Sequence, residues 1–441
     1  MVDVVKTNTQ YNENAFEVQK LLIYSNSGGE PFDIANMNAF LELSIYESIF
    51  DEKIYGEILL RDALNLSETL PIVGNERVEI YYRTGSEAFD FVKISGFVTA
   101  PLGKARIDGE KTEVYKLQFI SDTNFLNRFL TVDYSLNGTI SQMISSLFTN
   151  YFGSSGVKLF TNTATKEIHR FIVPRWTPLF TASWLASRAF SPSKHSMYLF
   201  YEDVDGFHFK DVLQEMLKTE KYIFRVEPRN AGNLGDVMSY MTMVHSYSIA
   251  SYYDRIDEFH EGMYSGILNT HDITKKKFNQ YEFDYLDYAS DSQWKSLNKY
   301  PLIPPNKSFE LYRIVGKQNN RNFVPVQTKK TNQIEDNDQY EKYYLRNKSI
   351  RKQLTAHMMS IEVAGNSSLR LLDTVGFEIP KIGYLDDSNG NYLDPYLSGK
   401  YIVVSLKHVL NRVSGYKTMI DMSKESLLQP IPNSIEKTVY R

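Results

Sequence analysis

The chain has 441 residues, of which 49 are basic and 53 acidic, for a net charge of −4. This length corresponds to several domains, 42% hydrophobic residues are enough for packed cores, and the slightly acidic balance argues against a nucleic-acid-binding protein. The chain has no cysteine, which excludes disulfide frameworks, thiolate metal sites and cysteine nucleophiles.

Residues 1–15 are polar and show no periodicity, so we expect an N-terminal arm. The start of the chain lacks the apolar stretch of a signal peptide, and no run is long enough to span a bilayer. We therefore expect the protein to fold in a cytoplasm.

Apolar and polar residues alternate from Phe16 to Asp122, for example over 77–83. This period of two predicts half-buried strands, and the high aromatic content of 14% also favours β-structure. No helical pattern separates these strands, so they should pair antiparallel. We predict a first small β-barrel over 16–124.

The segment 125–236 is predicted to be an inserted α/β domain. Its patterns are apolar residues at helical spacing, a Thr-Pro helix start and an Asp-Gly turn between two apolar runs. They predict, in chain order, a helix over 140–151, a helix over 177–189, a hairpin turning at Asp205-Gly206 and a helix over 211–220.

Strand-like runs return over 237–284, and we expect them to contribute to a second barrel. The segment 285–350 is predicted to be a polar excursion that ends in a helix. Prolines, asparagines and charges dominate it up to residue 335, which indicates a long and partly mobile connection, and the helix should run over 338–355.

The segment 351–428 is predicted to be the second β-barrel, and 429–441 a C-terminal tail. Its strands follow the same order as those of 16–124, with a short Glu-containing strand, a long strand and a final strand. The pattern suggests two related barrels in one chain, separated by an insert. The predicted fold class is therefore α+β and mainly β, with two small antiparallel barrels and an inserted α/β domain.

Motifs for catalysis or cofactor binding are missing. The sequence has no phosphate-binding glycine loop and no nucleophile elbow, and His260-Glu261 lacks a second histidine because residue 264 is Tyr. Two acidic turns, Tyr201–Gly206 and Asp386–Gly390, lack the ligands of an EF-hand and are interpreted as hairpin turns. We interpret an isolated strand histidine such as His408 as a packing residue. We predict no catalytic, cofactor-binding or metal-binding residue, no cofactor and no enzymatic activity.

Short basic and aromatic clusters have a simpler interpretation than a binding site. The runs Lys275-Lys276-Lys277 and Lys329-Lys330 are brief and lie in polar surroundings, so we interpret them as solvated loops. The tyrosine-rich stretches 281–288 and 340–344 could stack on sugars or bases, but core and interface packing is the simpler use. A long chain without a catalytic constellation points to an architectural role.

The order of these features resembles a known family. The closing run Gly399–His408, followed by Tyr416–Leu427, is similar to the final barrel strands of the baseplate hub protein of contractile-tailed, T-even-type phages. The resemblance spans 16–428 and leaves 285–335 without a counterpart. Shorter matching stretches are Ile172–Pro178, Met197–Lys210, and Tyr264–Gly266 with Thr270–Asp272. Type VI secretion spike proteins share a similar head domain but continue into a β-helical spike, and the end at Arg441 favours the separate hub.

The resemblance implies a homotrimeric ring in which two similar domains per chain give pseudo-sixfold symmetry. Such a ring joins a threefold central spike to a sixfold tail tube and encloses the channel for DNA ejection. The implied partners are the spike protein, the tail tube protein and baseplate wedge proteins, while DNA passes without specific binding and no membrane is entered. The implied location is the virion baseplate, with assembly in the host cytoplasm.

Three other interpretations stay open at this point. A tail-associated polysaccharide or peptidoglycan hydrolase would hold a carboxylate pair in an aromatic cleft. A glycan-binding adhesin would share the tail location and differ in its ligand. An outer-membrane barrel is suggested by the alternation and the aromatics, but the mid-chain helices and charged strands argue against it.

Overall fold

Alternation of apolar and polar residues produces the strands at the start of the chain, as predicted. They are β1 (Phe16–Tyr24), β2 (Phe32–Asp33), β3 (Phe40–Ser48), β4 (Tyr55–Asp62), β5 (Arg77–Thr84), β6 (Val92–Arg106) and β7 (Glu113–Ser121). All pair antiparallel, and their alternate side chains form one hydrophobic core. This computed structural model describes residues 15–430 except 38, 64–65, 67–71, 86, 107–111, 154–155, 192–196, 227–236, 253, 291–295, 302–306, 327–328, 332–333, 337–339 and 382–392.

The insert mixes helices with short strands around its own core. Its elements are α1 (Asp122–Asn127), β8 (Ser135–Thr139), α2 (Ile140–Phe152), β9 (Leu159–Thr161), β10 (Ile168–Ile172), α3 (Pro178–Ala186), β11 (Tyr198–Asp203), β12 (Gly206–Asp211), α4 (Val212–Met216) and β13 (Tyr222–Arg225). The predicted helix at 140–151 is confirmed as α2, which a capping box between Thr139 and Gln142 begins. The predicted hairpin turn is confirmed too, and Gly206 adopts φ +141° there. Helix α4 is shorter than predicted because β13 follows and pairs with the C-terminal part of the chain.

The central segment is more structured than the sequence predicted. It contains α5 (Val237–Met241), β14 (Val244–Tyr252), α6 (Arg255–His260), β15 (Ser265–Asp272), β16 (Lys277–Asp284), α7 (Tyr285–Ser290), β17 (Tyr300–Pro301), α8 (Lys307–Asn319), β18 (Arg321–Val326), β19 (Lys329–Thr331), β20 (Ile334–Asp336) and α9 (Tyr340–Ala356). The described part of the expected excursion holds helix α8 and strand β18, which pairs parallel with β15. Strands β15 and β16 form a separate small sheet with β18, and of the 237–284 strands only β14 joins the main sheet.

The last strands complete a sheet of thirteen strands that runs through both ends of the chain. They are β21 (His357–Ala364), β22 (Thr374–Glu378), β23 (Gly399–Asn411) and β24 (Gly415–Ser423), while β25 (Ser426–Leu427) pairs with β17 in a separate small sheet. The fold is mainly β, as predicted, but two separate closed barrels are not confirmed. The long strand β23 extends past the end of β22 and pairs with β3, so the two halves form one continuous open sheet.

The two halves of this sheet repeat the same strand order. The first half reads β3-β4-β7-β6-β5-β1 and the second reads β14-β21-β24-β23-β22-β13. The halves differ at their last strands, because β1 is antiparallel to β5 whereas β13 is parallel to β22. Even the register shifts recur, at Phe40/Glu42 and Val244/Ser246, and at Val98/Ala100 and Val403/Ser405. Bulges at matching positions confirm the repeat that the sequence suggested.

Backbone geometry just before the equivalent strands β5 and β22 also matches. Asn75 and Leu372 both have a positive φ, 79° and 62°. The Asn75 amide donates to the Val98 carbonyl at 2.8 Å, and the Leu372 amide donates to that of Val403 at 3.0 Å. A left-handed non-glycine residue is uncommon, so its presence in both copies at one position further supports their equivalence.

Candidate assembly surface

The two repeats meet where β23 pairs with β3, which we call the internal junction. Ser405 lies opposite Ser48, and Asn411 lies opposite Glu42. The Ser405 hydroxyl bonds that of Ser48 at 3.1 Å, and the Asn411 side-chain amide donates to the Glu42 carboxylate at 3.0 Å. Backbone pairing is supplemented by side-chain bonds, so the junction is a specific contact and not a loose edge approach.

Each repeat has, at the position equivalent to the internal junction, a strand edge that is unpaired in the described part of the chain. The first is the outer edge of β14, where Tyr247 and Ile249 are 39% and 41% exposed. The second is the end of β6 beyond Val98, which β5 does not reach and where Leu102 is 41% exposed. We call them the two open edges. By the repeat, β14 corresponds to β3 and the end of β6 corresponds to the end of β23, so the open edges are the counterparts of the internal junction.

One residue distinguishes the β6 edge from its counterpart. The Ile49 amide donates to the Val404 carbonyl at 3.0 Å, so even-numbered residues of β23 turn their backbone groups towards β3. Pro101 in β6 is equivalent to Leu406 in β23, and proline has no N–H to donate. The open β6 edge therefore lacks one donor, which weakens indiscriminate strand pairing.

The face of the sheet opposite the cores is polar and spans the internal junction. It includes a depression of about 700 Å³ between β3, β14, β21, β23 and β24. Its charged side chains alternate in sign and several are paired, as in Lys417–Glu362 at 2.7 Å and Lys116–Glu57 at 2.9 Å. The Lys116 hydrogen bond lowers the pKa of Glu57 and keeps this carboxylate ionised. We call this surface the polar face; its charged residues include Glu42, Glu57, Lys116, Glu362, Lys407, Lys417 and Asp421.

Behind the internal junction lies a buried polar cluster. His408 is buried, as predicted for a packing residue, and its Nδ1 lies 2.8 Å from the Tyr416 hydroxyl. Its Nε2 is 3.6 Å from Oε1 of Glu47, whose other oxygen accepts from the Val204 amide at 3.2 Å. Burial, with Asp203 nearby, raises the pKa of Glu47 to about 8, and burial lowers the pKa of His408 to about 3. Both groups are therefore neutral near pH 7, and they fix the insert's hairpin to the junction.

The acidic turn at 201–206 is satisfied by protein donors. Asp203 accepts from the Asp205 amide at 2.8 Å and lies 2.7 Å from Nε2 of His208. Asp205 accepts two bonds from the Arg370 guanidinium, at 2.7 and 3.2 Å. The turn is thus a hairpin held by a cation of the second repeat. Across the described residues, no group of three His, Asp or Glu side chains is arranged to hold a metal ion.

The other clusters from the sequence lie apart from the junction. The acidic turn at 386–390 lies outside the described residues, and Lys275 and Lys276 stand in the turn between β15 and β16. Tyr285 and Tyr288 are buried in the core, as the packing interpretation predicts. Sequence reasoning missed the two open edges. A proline inside the strand pattern of β6 is a signal that could have identified one of them.

Comparison with known proteins gives a match in structure and none in sequence. No protein-family model matches the chain, and no curated protein matches it. The 43 kDa tail protein of prophage MuSo2 from Shewanella oneidensis superposes with a TM-score of 0.54 and 11% identity, over 92% of this chain and 98% of that one. A tail protein from Neisseria meningitidis MC58 superposes with a TM-score of 0.52 and 12% identity, over 92% and 96%. The chain therefore has the fold of tail proteins, which confirms the resemblance at the level of the fold. None of the described helices combines the length and apolar character needed to cross a membrane.

Proposed function

We propose that the chain is a structural subunit of a phage tail baseplate hub and forms a homotrimeric ring with pseudo-sixfold symmetry. The observation that carries the proposal is the internal junction, a head-to-tail contact between two equivalent repeats. The same contact between chains would bring the β14 edge of one subunit against the β6 edge of the next. Three chains then supply six similar repeats and close the ring with both open edges paired.

This ring would join a sixfold tail tube to a threefold spike, with baseplate wedge proteins around it. The polar face would line the channel, because it spans the internal junction. Its alternating and paired charges suit the passage of DNA, since a basic wall would retain the phosphate backbone. The subunit has a structural role and no catalytic one, and it resides in the virion baseplate after assembly in the host cytoplasm.

The first test is the solution mass of the purified protein by light scattering, with negative-stain images of the same peak. We expect about three times the 51.1 kDa of one chain, seen as a ring with a central hole. If the hub needs its spike to assemble, the trimer appears on mixing the two proteins. A chain that stays monomeric with the spike protein present would contradict the proposal and favour a hydrolase or an adhesin.

Substitutions on the open β14 edge test the contact itself. Ile249→Lys places a charge on an exposed apolar position of the edge strand, and charged edges oppose strand pairing. We expect the mass to fall to that of one chain while the thermal unfolding temperature stays unchanged. The matched control is Val413→Lys, at a 95% exposed position in the β23–β24 turn, which should keep the trimer. A trimer that survives Ile249→Lys would exclude this edge from the contact.

A further inference from the structure

A cavity of about 350 Å³ lies where the insert meets helix α9, and it shares Phe50 with the depression of the polar face. Helix α3, strand β11, the turn after β3 and the first turns of α9 form its walls. The apolar lining consists of Ile49, Phe50, Ala186, Met197, Leu199 and Phe200. Three cations also line it, Arg188, Lys348 and Arg351, and none of the lining residues is acidic. We call it the basic cavity.

Arg188 lies flat on the Trp184 ring, with Cζ 3.6 Å from the ring centroid. Its terminal nitrogens make two long bonds to neutral groups, to the Ser187 hydroxyl at 3.5 Å and to the Tyr340 hydroxyl at 3.4 Å. Its Nε is buried and has no hydrogen-bond partner. A guanidinium has five donors, so this cation is held in place with most of its bonding capacity unused.

The other two cations also lack a carboxylate partner among the described residues. Lys348 Nζ donates to the side-chain oxygens of Asn320 and Asn322, at 3.3 and 3.4 Å. Burial lowers the pKa of Lys348, and the charge of Glu261 opposes this shift only in part. Arg351 lies 5.5 Å from the Phe50 ring. Arg188 and Lys348 are half-buried and Arg351 is exposed beside them, so three positive charges without a carboxylate partner in the described part of the chain meet at one cavity and favour an anion there.

We propose that the basic cavity binds an acidic peptide segment of a partner protein, with an Asp or Glu carboxylate against Arg188 and Arg351 and a neighbouring apolar side chain in the cavity. Planar guanidinium groups suit carboxylates, and arginine beside tyrosine is typical of the centre of protein interfaces. The carboxamide oxygen of Asn347 is buried without a partner and can accept from a backbone N–H. A peptide brings both the carboxylate and the N–H, whereas a phosphodiester brings acceptors alone.

The charge of this chain's own ends argues for a separate partner. Residues 1–15 contain two acidic residues and one lysine, and residues 429–441 contain one acidic residue and two basic ones. Neither end is an acidic segment that would neutralise three cations. The inference needs only the described fold, so it does not depend on the ring.

The test is a calorimetric titration of the full chain with short peptides that carry Glu-Leu or Asp-Phe between uncharged flanks. Gln-Leu and Asn-Phe versions, inorganic phosphate and a single-stranded oligonucleotide are titrated in parallel. We expect saturable binding of the acidic peptides that weakens with salt, and a loss of about tenfold or more in Arg188→Gln and Arg351→Gln. Lys342→Gln, on the same helix but outside the cavity, should bind within about twofold of the unchanged chain.

Four results would overturn the proposal. They are no saturable binding of any acidic peptide, equal binding of the amide versions, unchanged binding in both arginine variants, and tighter binding of phosphate or the oligonucleotide. Light scattering on the same variants keeps this test separate from that of the ring. Variants that lose the peptide but keep the mass of the unchanged chain show that the cavity and the assembly surface act independently.

Discussion

At the scale of single residues, the unusual feature is a carboxyl group buried where three parts of the chain meet. Glu47 belongs to β3, His408 to β23, and Val204 to the hairpin of the insert. The pKa of Glu47 is raised from 4.5 to about 8, mainly by burial and also by Asp203, with Arg370 opposing. A raised carboxyl pKa means that the folded state binds the proton more tightly than the unfolded state. Glu47 therefore supports stability fully below about pH 4.5 and loses this contribution as the pH rises through 8.

Glu47→Gln should remove this pH dependence, because glutamine resembles the neutral carboxyl group that the fold prefers. We expect the stability of the variant to be close to that of the unchanged chain near pH 5 and to exceed it by on the order of 4 kcal/mol near pH 8.5. Urea unfolding of the variant and of the unchanged chain at several pH values measures the two free energies of unfolding. Glu57→Gln is the control for which we expect the opposite change in stability. The hydrogen bond from Lys116 lowers the pKa of Glu57, so the loss of this carboxylate should lower the free energy of unfolding at neutral pH. If Glu47→Gln instead lowers the free energy of unfolding by the same amount at every pH, Glu47 is charged in the folded state.

At the scale of elements, local chemistry was predictable and long-range pairing was not. The Asp-Gly turn and the helix at Ile140–Phe152 depend on residues close in sequence, and both were predicted. Helix α8 was missed because prolines and asparagines around it suggested a loop, whereas packing of α8 on β15 stabilises it. The same limit explains why α4 was predicted too long. Its end is set by β13, whose partner β22 lies about 150 residues further along the chain.

Close packing at the end of β21 yields a second test. A Cβ atom added to Gly365 would lie 2.0 Å from the Tyr416 ring, which is fully buried. Gly365→Ala should therefore destabilise the fold by about 1–3 kcal/mol, since neither side of the contact can move freely. Gly153 ends helix α2 with nothing within 4 Å of such an atom, so Gly153→Ala should be neutral or slightly stabilising. Equal melting temperatures for the two variants would contradict this account of the packing.

At the scale of the whole molecule, the repeat was visible in the sequence but the internal junction was not. The order of strand patterns suggested two related halves, because the alternation that predicts each strand lies within a short stretch of sequence. The junction joins Ser405 to Ser48, residues 357 positions apart, and no periodicity in either strand specifies that partner. The expectation of two closed barrels failed at this point, since β23 uses its second edge for β3 and leaves the sheet open.

The proposed ring predicts a register between chains, because the repeat maps the internal junction onto the two open edges. Lys407 lies opposite Tyr46 in the junction, and their counterparts are Leu102 and Ala250. Cα atoms in such a non-hydrogen-bonded pair are about 4.5 Å apart, within disulfide range. The chain has no cysteine, so Leu102→Cys with Ala250→Cys gives cross-links without background. Both strands carry a bulge near this point, which can shift the register. The pair Lys104→Cys with Ser248→Cys, two residues further along each strand, is therefore tested as well.

On a non-reducing gel, the oxidised double variant should give bands of one, two and three chains and none beyond, because a closed ring leaves neither of the two open edges free. A mixture of the two single variants should stop at two chains, and each single variant alone should stay uncross-linked. A ladder that continues past three chains would mean an open filament or a larger ring. A trimer by light scattering that neither cysteine pair can cross-link would mean that the chains associate through a different surface, although the repeat itself would still stand.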